Sequence, residues 1–267
     1  GRAGTFAWHV LSRTLAYAAN IAFDIADDVV NIDRAMRWGF NWDLGPFEAW
    51  DAIGVAESVA RMKEDGFDVP KWVVDMVEAG TTSFYGGGEA DRTYFDVGTA
   101  KATAVAKDPR HINIAALKED EKNIIKSNMG ASLLDLGDGC LGLEVHTKMN
   151  TVDADVVAMM MEAIAEAEQN FEAIVIGNDG AAFGAGANLM MVFMAAQQKE
   201  WGQIETMISG FQSACQAMRY AKVPVVSAPF GMTLGGGAEI AMSADACQAF
   251  AETYMGLVEV GVGVIPA

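Results

Sequence analysis

The chain has 267 residues, 52% of them apolar, which is ample for two ordinary domains with buried cores. Its 36 acidic against 18 basic residues leave a formal charge of −18, which argues against nucleic acid or an anionic membrane surface as a partner. Cys140, Cys215 and Cys247 and His9, His111 and His146 show neither disulfide-framework nor metal-ligand spacing, so a reducing, cytoplasmic setting and no metal are expected.

From Phe6 to about Gly80 the apolar positions recur at three and four, as in "VLSRTLAYAANIAFDIADDVV", and predict a helical domain over residues 1–80. Within it Gly39 is expected to end a helix, Gly45-Pro46 to open the next, and "DVPKWVVDMVEAG" to run as a helix between Pro70 and Gly80. Trp38, Phe40, Trp42, Phe47 and Trp50 form an aromatic cluster with two readings, a ligand cage or, more commonly for such clusters, core. Residues 81–130 are less regular and read as a connector containing a short hairpin, "FYGGGEADRTYFDVGTAKATAV". Gly86, Gly87 and Gly88 lack the Lys-Ser/Thr of a phosphate loop and read as a loose turn.

After Gly130 strands alternate with helices, the pattern of an α/β domain over residues 131–267. "SLLDLGDGCLGLEVHT" predicts a hairpin turning at Gly137-Asp138-Gly139, and "VDADVVAMMMEAIAEAEQN" a helix with an acidic first turn. "AIVIGN" and "VPVVSAPF" read as buried strands. Between them "WGQIETMISGFQSACQAMRYA" is a helix expected to line one face with Ile204, Met207, Ile208, Phe211, Cys215 and Met218. The methionines at 159–161 and 190–194 suit either core filling or a greasy acyl pocket.

Two strand-to-helix turns look alike, "GAAFGAGAN" and "GMTLGGGAE". Both put small residues where a helix begins, so that free N–H groups can face a ligand oxygen, as an oxyanion hole requires. Three consecutive glycines, Gly235 to Gly237, weaken a helix by roughly 1 kcal/mol each and imply close approach to the backbone. Near the end Glu259 stands in the apolar run "MGLVEVGVGVIP", where a carboxylate needs a partner or a raised pKa. Taken singly, Glu259 also suits an exposed loop, and Glu239 the acidic first turn of a helix.

In this order and spacing, "FGAGAN", "LGGGAE" and "MGLVEVGVGVIP" resemble the crotonase (enoyl-CoA hydratase/isomerase) superfamily over residues 131–267. The resemblance implies a spiral of ββα units, assembled as trimers or pairs of trimers, that binds acyl-CoA thioesters. Coenzyme A then belongs to the substrate, and no separate cofactor is expected. By motif it implies Ala187 and Gly236 as the oxyanion-hole donors and Glu239 and Glu259 as the catalytic pair. Substrate contacts are implied for Ala185, Gly186 and Gly235, and for Lys148 and Asn150 of "HTKMN". Leu257-Val258 stand where the family commonly has Gln-Pro before the second glutamate.

Separately, "IADDVVNIDRAMRWGFNWDLGPFEAWDAIGV" is similar to the C-terminal helical domain of 3-hydroxyacyl-CoA dehydrogenases. No G-x-G-x-x-G follows an opening strand, so NAD chemistry is expected only from a dehydrogenase domain outside these residues. The two resemblances imply an internal piece of a longer, homo-oligomeric β-oxidation protein whose crotonase-like part is incomplete. The implied activity is hydration of 2-enoyl-CoA to 3-hydroxyacyl-CoA. The alternatives are isomerisation within the same superfamily and a non-catalytic acyl-CoA-binding or assembly role.

Overall fold

The computed structural model describes residues 1–108 and 110–267, which divide into two units, Gly1–His111 and Ile112–Ala267. The first opens with helices α1 (Arg2–Ile25), α2 (Val29–Phe40), α3 (Pro46–Ile53), α4 (Val55–Glu64) and α5 (Lys71–Glu78). Asp28 caps α2 by accepting the Asn31 N–H at 2.7 Å, and Pro46 occupies the first turn of α3, where its missing N–H costs nothing. Helix α2 ends beyond the expected Gly39: it runs to Phe40 and stops at Asn41, whose φ of 56° is a left-handed conformation that asparagine tolerates.

The aromatic cluster divides. Phe47 and Trp50 are fully buried and pack with Phe84, Leu15, Met62 and Met76, whereas Trp38 and Phe40 are 77% and 71% exposed. An antiparallel meander follows, β1 (Tyr85–Gly86), β2 (Thr93–Asp96) and β3 (Lys101–Ala104). It belongs to the helical unit, not to a connector. Phe84, Tyr85, Tyr94 and Phe95 join the helical core, and buried or half-buried carboxylates of the helices hold the meander's first residues. Asp51 accepts the N–H groups of Phe84 and Tyr85 at 2.7 and 2.9 Å, and Asp33 accepts the Tyr85 hydroxyl at 2.7 Å.

The second unit begins with α6 (Ile114–Lys118) and β4 (Ile124–Ser127), so residues 112–130 are not a connector either. It continues with β5 (Ala131–Asp135), β6 (Cys140–Val145), α7 (Ala154–Asn170), β7 (Ala173–Ile176), β8 (Ala182–Ala185), α8 (Leu189–Gln197) and α9 (Trp201–Arg219). The last elements are β9 (Val225–Ser227), β10 (Met232–Leu234), α10 (Gly236–Ser243), β11 (Ala246–Cys247) and β12 (Tyr254–Gly256). One sheet has the order β11–β9–β7–β6–β5–β4 and a second, all parallel, the order β12–β10–β8. The chain steps from the first sheet to the second and into a helix, β7–β8–α8–α9 and then β9–β10–α10, which is a ββα repeat.

Hairpin β5–β6 turns through Gly137, Asp138 and Gly139, all at positive φ, and Asp153 caps α7 by accepting the Val156 N–H at 3.0 Å. The core lies between the larger sheet and helices α7 and α9, built from Leu133, Leu141, Leu143, Ile174, Met159, Met160, Phe211 and Met218. Helix α9 buries Phe211, Ala214 and Met218 and leaves Ile208 exposed, so its core face is shorter than the apolar periodicity implied.

Candidate active site

Strands β8 and β10 pair with Thr233 opposite Gly184 and Leu234 opposite Ala185, so the two glycine-rich turns leave the sheet side by side. The glycines they carry are required for different reasons. A Cβ on Gly237 would stand 2.6 Å from the Gly184 carbonyl oxygen and 2.9 Å from its Cα, a backbone-to-backbone contact that no side chain fits. Gly235 has φ 52° and ψ −124°, and a Cβ there would lie 2.8 Å from Glu259 Oε1 and 3.4 Å from Gly186 Cα. A Cβ on Gly236 would meet only Val152 Cγ2 at 3.3 Å and Phe211 Cζ at 3.6 Å among side chains. Two of the three glycines therefore serve close packing within the protein itself, which modifies the reading that the triplet exists for a ligand.

Among the described residues, two N–H groups of these turns have no backbone acceptor. Val152 braces the first turn: its N–H donates to the Gly186 carbonyl at 2.8 Å and its carbonyl accepts the Asn188 N–H at 3.2 Å, leaving the Ala187 N–H outside the bridge. In the second turn the Gly235 N–H donates to Gly256 at 2.9 Å, and the first bond inside α10 runs from Glu239 N–H to the Gly235 carbonyl at 3.0 Å. Gly236 is the first residue of α10, so its N–H has no acceptor within the helix, and the helix dipole adds positive potential there.

Both glutamates converge on the second turn. Glu239 lies in the first turn of α10, and its Oε1 accepts the Ala267 N–H at 2.8 Å. Burial holds its carboxyl above the usual range, the Ala267 N–H opposes that, and the charge of Glu259 adds to it. Glu259 opens the 3-10 turn Glu259–Val262 with Oε1 against Gly235, while its Oε2 is buried without a hydrogen-bond partner among the described residues. A buried carboxylate oxygen with no donor is costly. Beside them is Cys215 of α9, whose thiol is pushed up to about 11 by burial and then by the Glu239 charge, against a hydrogen bond with Ser243. Its place in an apolar helix face gave no sign of this neighbour.

The other predicted contacts have mixed positions. Ala185 is half-buried at the end of β8, and Gly186 is buried at φ 88°. Lys148 is exposed on the 3-10 turn Lys148–Asn150 and forms no ion pair among the described residues. Asn150 has a bracing position within the protein. Its side chain is buried, and its amide donates to the carbonyls of Asp179 at 3.1 Å and Ala182 at 2.9 Å, so it braces the loop after β7 and the first residue of β8. The sequence analysis does not single out Asn178, yet just beyond the end of β7 it ties β6 to β8: Oδ1 accepts the Val145 N–H at 2.7 Å and the amide donates to the Phe183 carbonyl. Its only signal was an asparagine closing a buried apolar run.

Among the described residues no group of three or more His, Cys, Asp or Glu is placed to hold a metal ion, and no helix is long and apolar enough to cross a membrane. A groove of about 610 Å³ lined by Trp8, His9, Arg13 and Arg61 lies in the first unit and contains none of these site residues.

Residues 140–267 match the family model for enoyl-CoA hydratase/isomerase. Over 265 residues, 99% of the chain and 33% of the relative, it is 44% identical to a Bacillus subtilis protein named "Probable 3-hydroxyacyl-CoA dehydrogenase". A Rickettsia felis protein bearing the name of a fatty acid oxidation complex trifunctional enzyme is 24% identical over 96% of the chain and 32% of the relative. An enoyl-CoA hydratase structure from Polaromonas sp. JS666 is 25% identical, covering 51% of this chain and 54% of that one with a TM-score of 0.49. The chain spans about one third of the length of the first two relatives.

Proposed function

We propose that the second unit adds water across the C2–C3 double bond of a 2-enoyl-CoA thioester to form the 3-hydroxyacyl-CoA, a step of fatty-acid β-oxidation. The observation that carries this reading is the meeting of Glu239 and Glu259 at a turn next to the uncommitted N–H groups of Ala187 and Gly236. The thioester oxygen accepts those two N–H groups. As water oxygen bonds to C3, the double-bond electrons move toward C2 and the carbonyl, and the oxygen takes up the enolate charge. Each donor of this kind is worth roughly 3 kcal/mol in the transition state. One glutamate takes the water proton and the other delivers a proton to C2, so H and OH are both accounted for and the pair ends with its proton exchanged between partners.

The charge of Glu259 adds to burial in holding the Glu239 carboxyl above its ordinary range, as suits a member of a proton-sharing pair. Coenzyme A enters as part of the substrate, and the exposed cation of Lys148 is the group we assign to its anionic phosphates. In a longer parent protein the 3-hydroxyacyl product is what an NAD-dependent dehydrogenase oxidises. The similarity of the chain to a relative named for that activity supports consecutive steps within one longer polypeptide, which we propose to be homo-oligomeric.

The test is to give the chain a short 2-enoyl-CoA and follow both the conjugated-thioester absorbance and the product mass. Loss of absorbance with gain of one water supports hydration. Loss of conjugation at unchanged mass would replace it by isomerisation, and binding with neither change would leave a binding or assembly role.

A further inference from the structure

The first unit distributes its charge unevenly. The chain has 36 acidic residues, yet none precedes Asp24, so along most of α1 Arg13 and His9, one turn apart, face no carboxylate of their own helix. Both line the groove of about 610 Å³, together with Arg61 of α4 and Asp65 and Asp68 of the loop after it. The side chains of Arg13 and His9 have neither ion pair nor hydrogen bond among the described residues. Arg61 is held in place by Trp8. Its guanidinium lies 4.1 Å from the centre of the Trp8 ring, the Trp8 indole N–H donates to Asp65 Oδ2 at 2.7 Å, and Arg61 Nε is 3.8 Å from that same oxygen. A planar cation is thus set on an aromatic face while its two terminal amino groups have no partner among the described residues. The Asp68 carboxylate has no partner among them either; it is the backbone carbonyl of that residue that accepts the Asn20 amide, at 2.8 Å.

These groups select the ligand by exclusion. An inorganic anion or an acidic peptide suits Arg13 but is repelled by Asp68, and an apolar ligand leaves cations and carboxylate alike without partners. A molecule that carries phosphate, a flat ring and hydrogen-bond donors meets all of them. We propose that this groove binds a nucleoside phosphate, with its phosphates on Arg13 and His9, its ring against the Arg61–Trp8 stack and its hydroxyl or amino donors on Asp68. The volume is that of a small-molecule site, roughly 300–1,000 Å³, and carboxylates are ordinary acceptors for ribose hydroxyls. Guanidinium groups bind phosphate through paired N–H donors, which Arg13 and the uncommitted end of Arg61 both offer. All of these residues belong to the first unit, so the inference is independent of the hydratase reading.

The test is calorimetric titration of the full chain with ADP and, separately, with inorganic pyrophosphate, which offers the anion without ring or ribose. It compares the parent with R13Q, R61K, D68A and K101Q, the last removing an exposed cation of β3 outside the groove. The parent should prefer ADP by at least about tenfold, the worth of one charge-assisted hydrogen bond. R13Q should weaken both ligands by about that factor and leave their ratio as it was. R61K keeps the charge but loses the planar face, and D68A loses the acceptor, so each should erase most of the preference for ADP. K101Q should bind both as the parent does. Because the Arg13 side chain contacts nothing in the fold, a loss in R13Q reports on binding and not on folding. No heat from ADP at millimolar concentration, pyrophosphate binding as tightly as ADP, or a loss in K101Q equal to that in R13Q would each overturn the proposal. So would an ADP preference that survives both R61K and D68A.

Discussion

Gly237→Ala sets two effects of known sign against each other. Inside a helix alanine is favoured over glycine by about 1 kcal/mol, so propensity alone makes the variant more stable. The new Cβ, however, would stand 2.6 Å from the Gly184 oxygen, 2.9 Å from its Cα and 3.0 Å from its carbonyl carbon. All three are backbone atoms of β8, a strand paired to β10, so none can swing aside and α10 must part from the sheet. Overpacking of this kind costs about 1–3 kcal/mol, and with rigid neighbours the upper end applies, leaving a net loss of about 2 kcal/mol. Because the displaced helix carries Gly236 and Glu239, hydration should fall as well, by about 100-fold for a shift approaching 1 Å. Gly236→Ala is the stability control, since its Cβ meets side-chain atoms at 3.3 and 3.6 Å that can yield, and it should change stability by less than about 1 kcal/mol. Amide hydrogen exchange of β7 and β9, the inner strands of the larger sheet, reports on this unit alone. Protection in Gly237→Ala equal to or above the parent would refute the steric reasoning.

Three further outcomes are expected. In Glu259→Gln the carboxyl of Glu239 should titrate lower than in the parent while staying above the ordinary 4.5, because the neighbouring charge is gone and burial is not; an unmoved midpoint in carboxyl-carbon NMR would show that the pair is not coupled. Asp33 is raised from 3.8 to about 6 by burial, against donors from Phe47, Tyr85 and Glu48. Its folded state binds the proton more tightly than the unfolded chain, so its stabilising contribution is complete below pH 3.8 and is lost as pH rises through about 6, a span of roughly 3 kcal/mol. Tyr85→Phe should move that midpoint higher, and a lower one would contradict the hydrogen bond. Asn150→Ala should cost about 1–3 kcal/mol by removing the buried amide that donates to the Asp179 and Ala182 carbonyls, and should speed exchange in β8 first; unaltered exchange there would deny Asn150 its bracing role.

What could be read from the chain was local. The Gly137-Asp138-Gly139 turn, the acidic first turn of α7 with Asp155 and the glycines before Glu239 each act within a few residues, and each stands where the sequence reading puts it. Contacts between distant positions were not legible. The meander was mistaken for connector because what holds it is Asp51, more than thirty residues away, and aromatic side chains at irregular spacing. Gly184 and Gly237 acquire their constraint only when β8 and β10 pair in parallel, and Asn150 finds its acceptors at positions 179 and 182. Apolar periodicity in α9 also overstated its buried face, since it cannot tell which neighbours cover each turn; nothing in the structure explains why Ile208 stays exposed.

The most direct test of a two-glutamate site is the rate of 2-enoyl-CoA hydration in Glu239→Gln, Glu259→Gln and the double variant. If one water is activated and its addition completed by both carboxyls as a unit, each single change should lower kcat by about 10²–10⁴, and the double variant should be scarcely worse than the poorer single one. Losses that multiply in the double variant, or either single variant hydrating at the parent's rate, would contradict that mechanism.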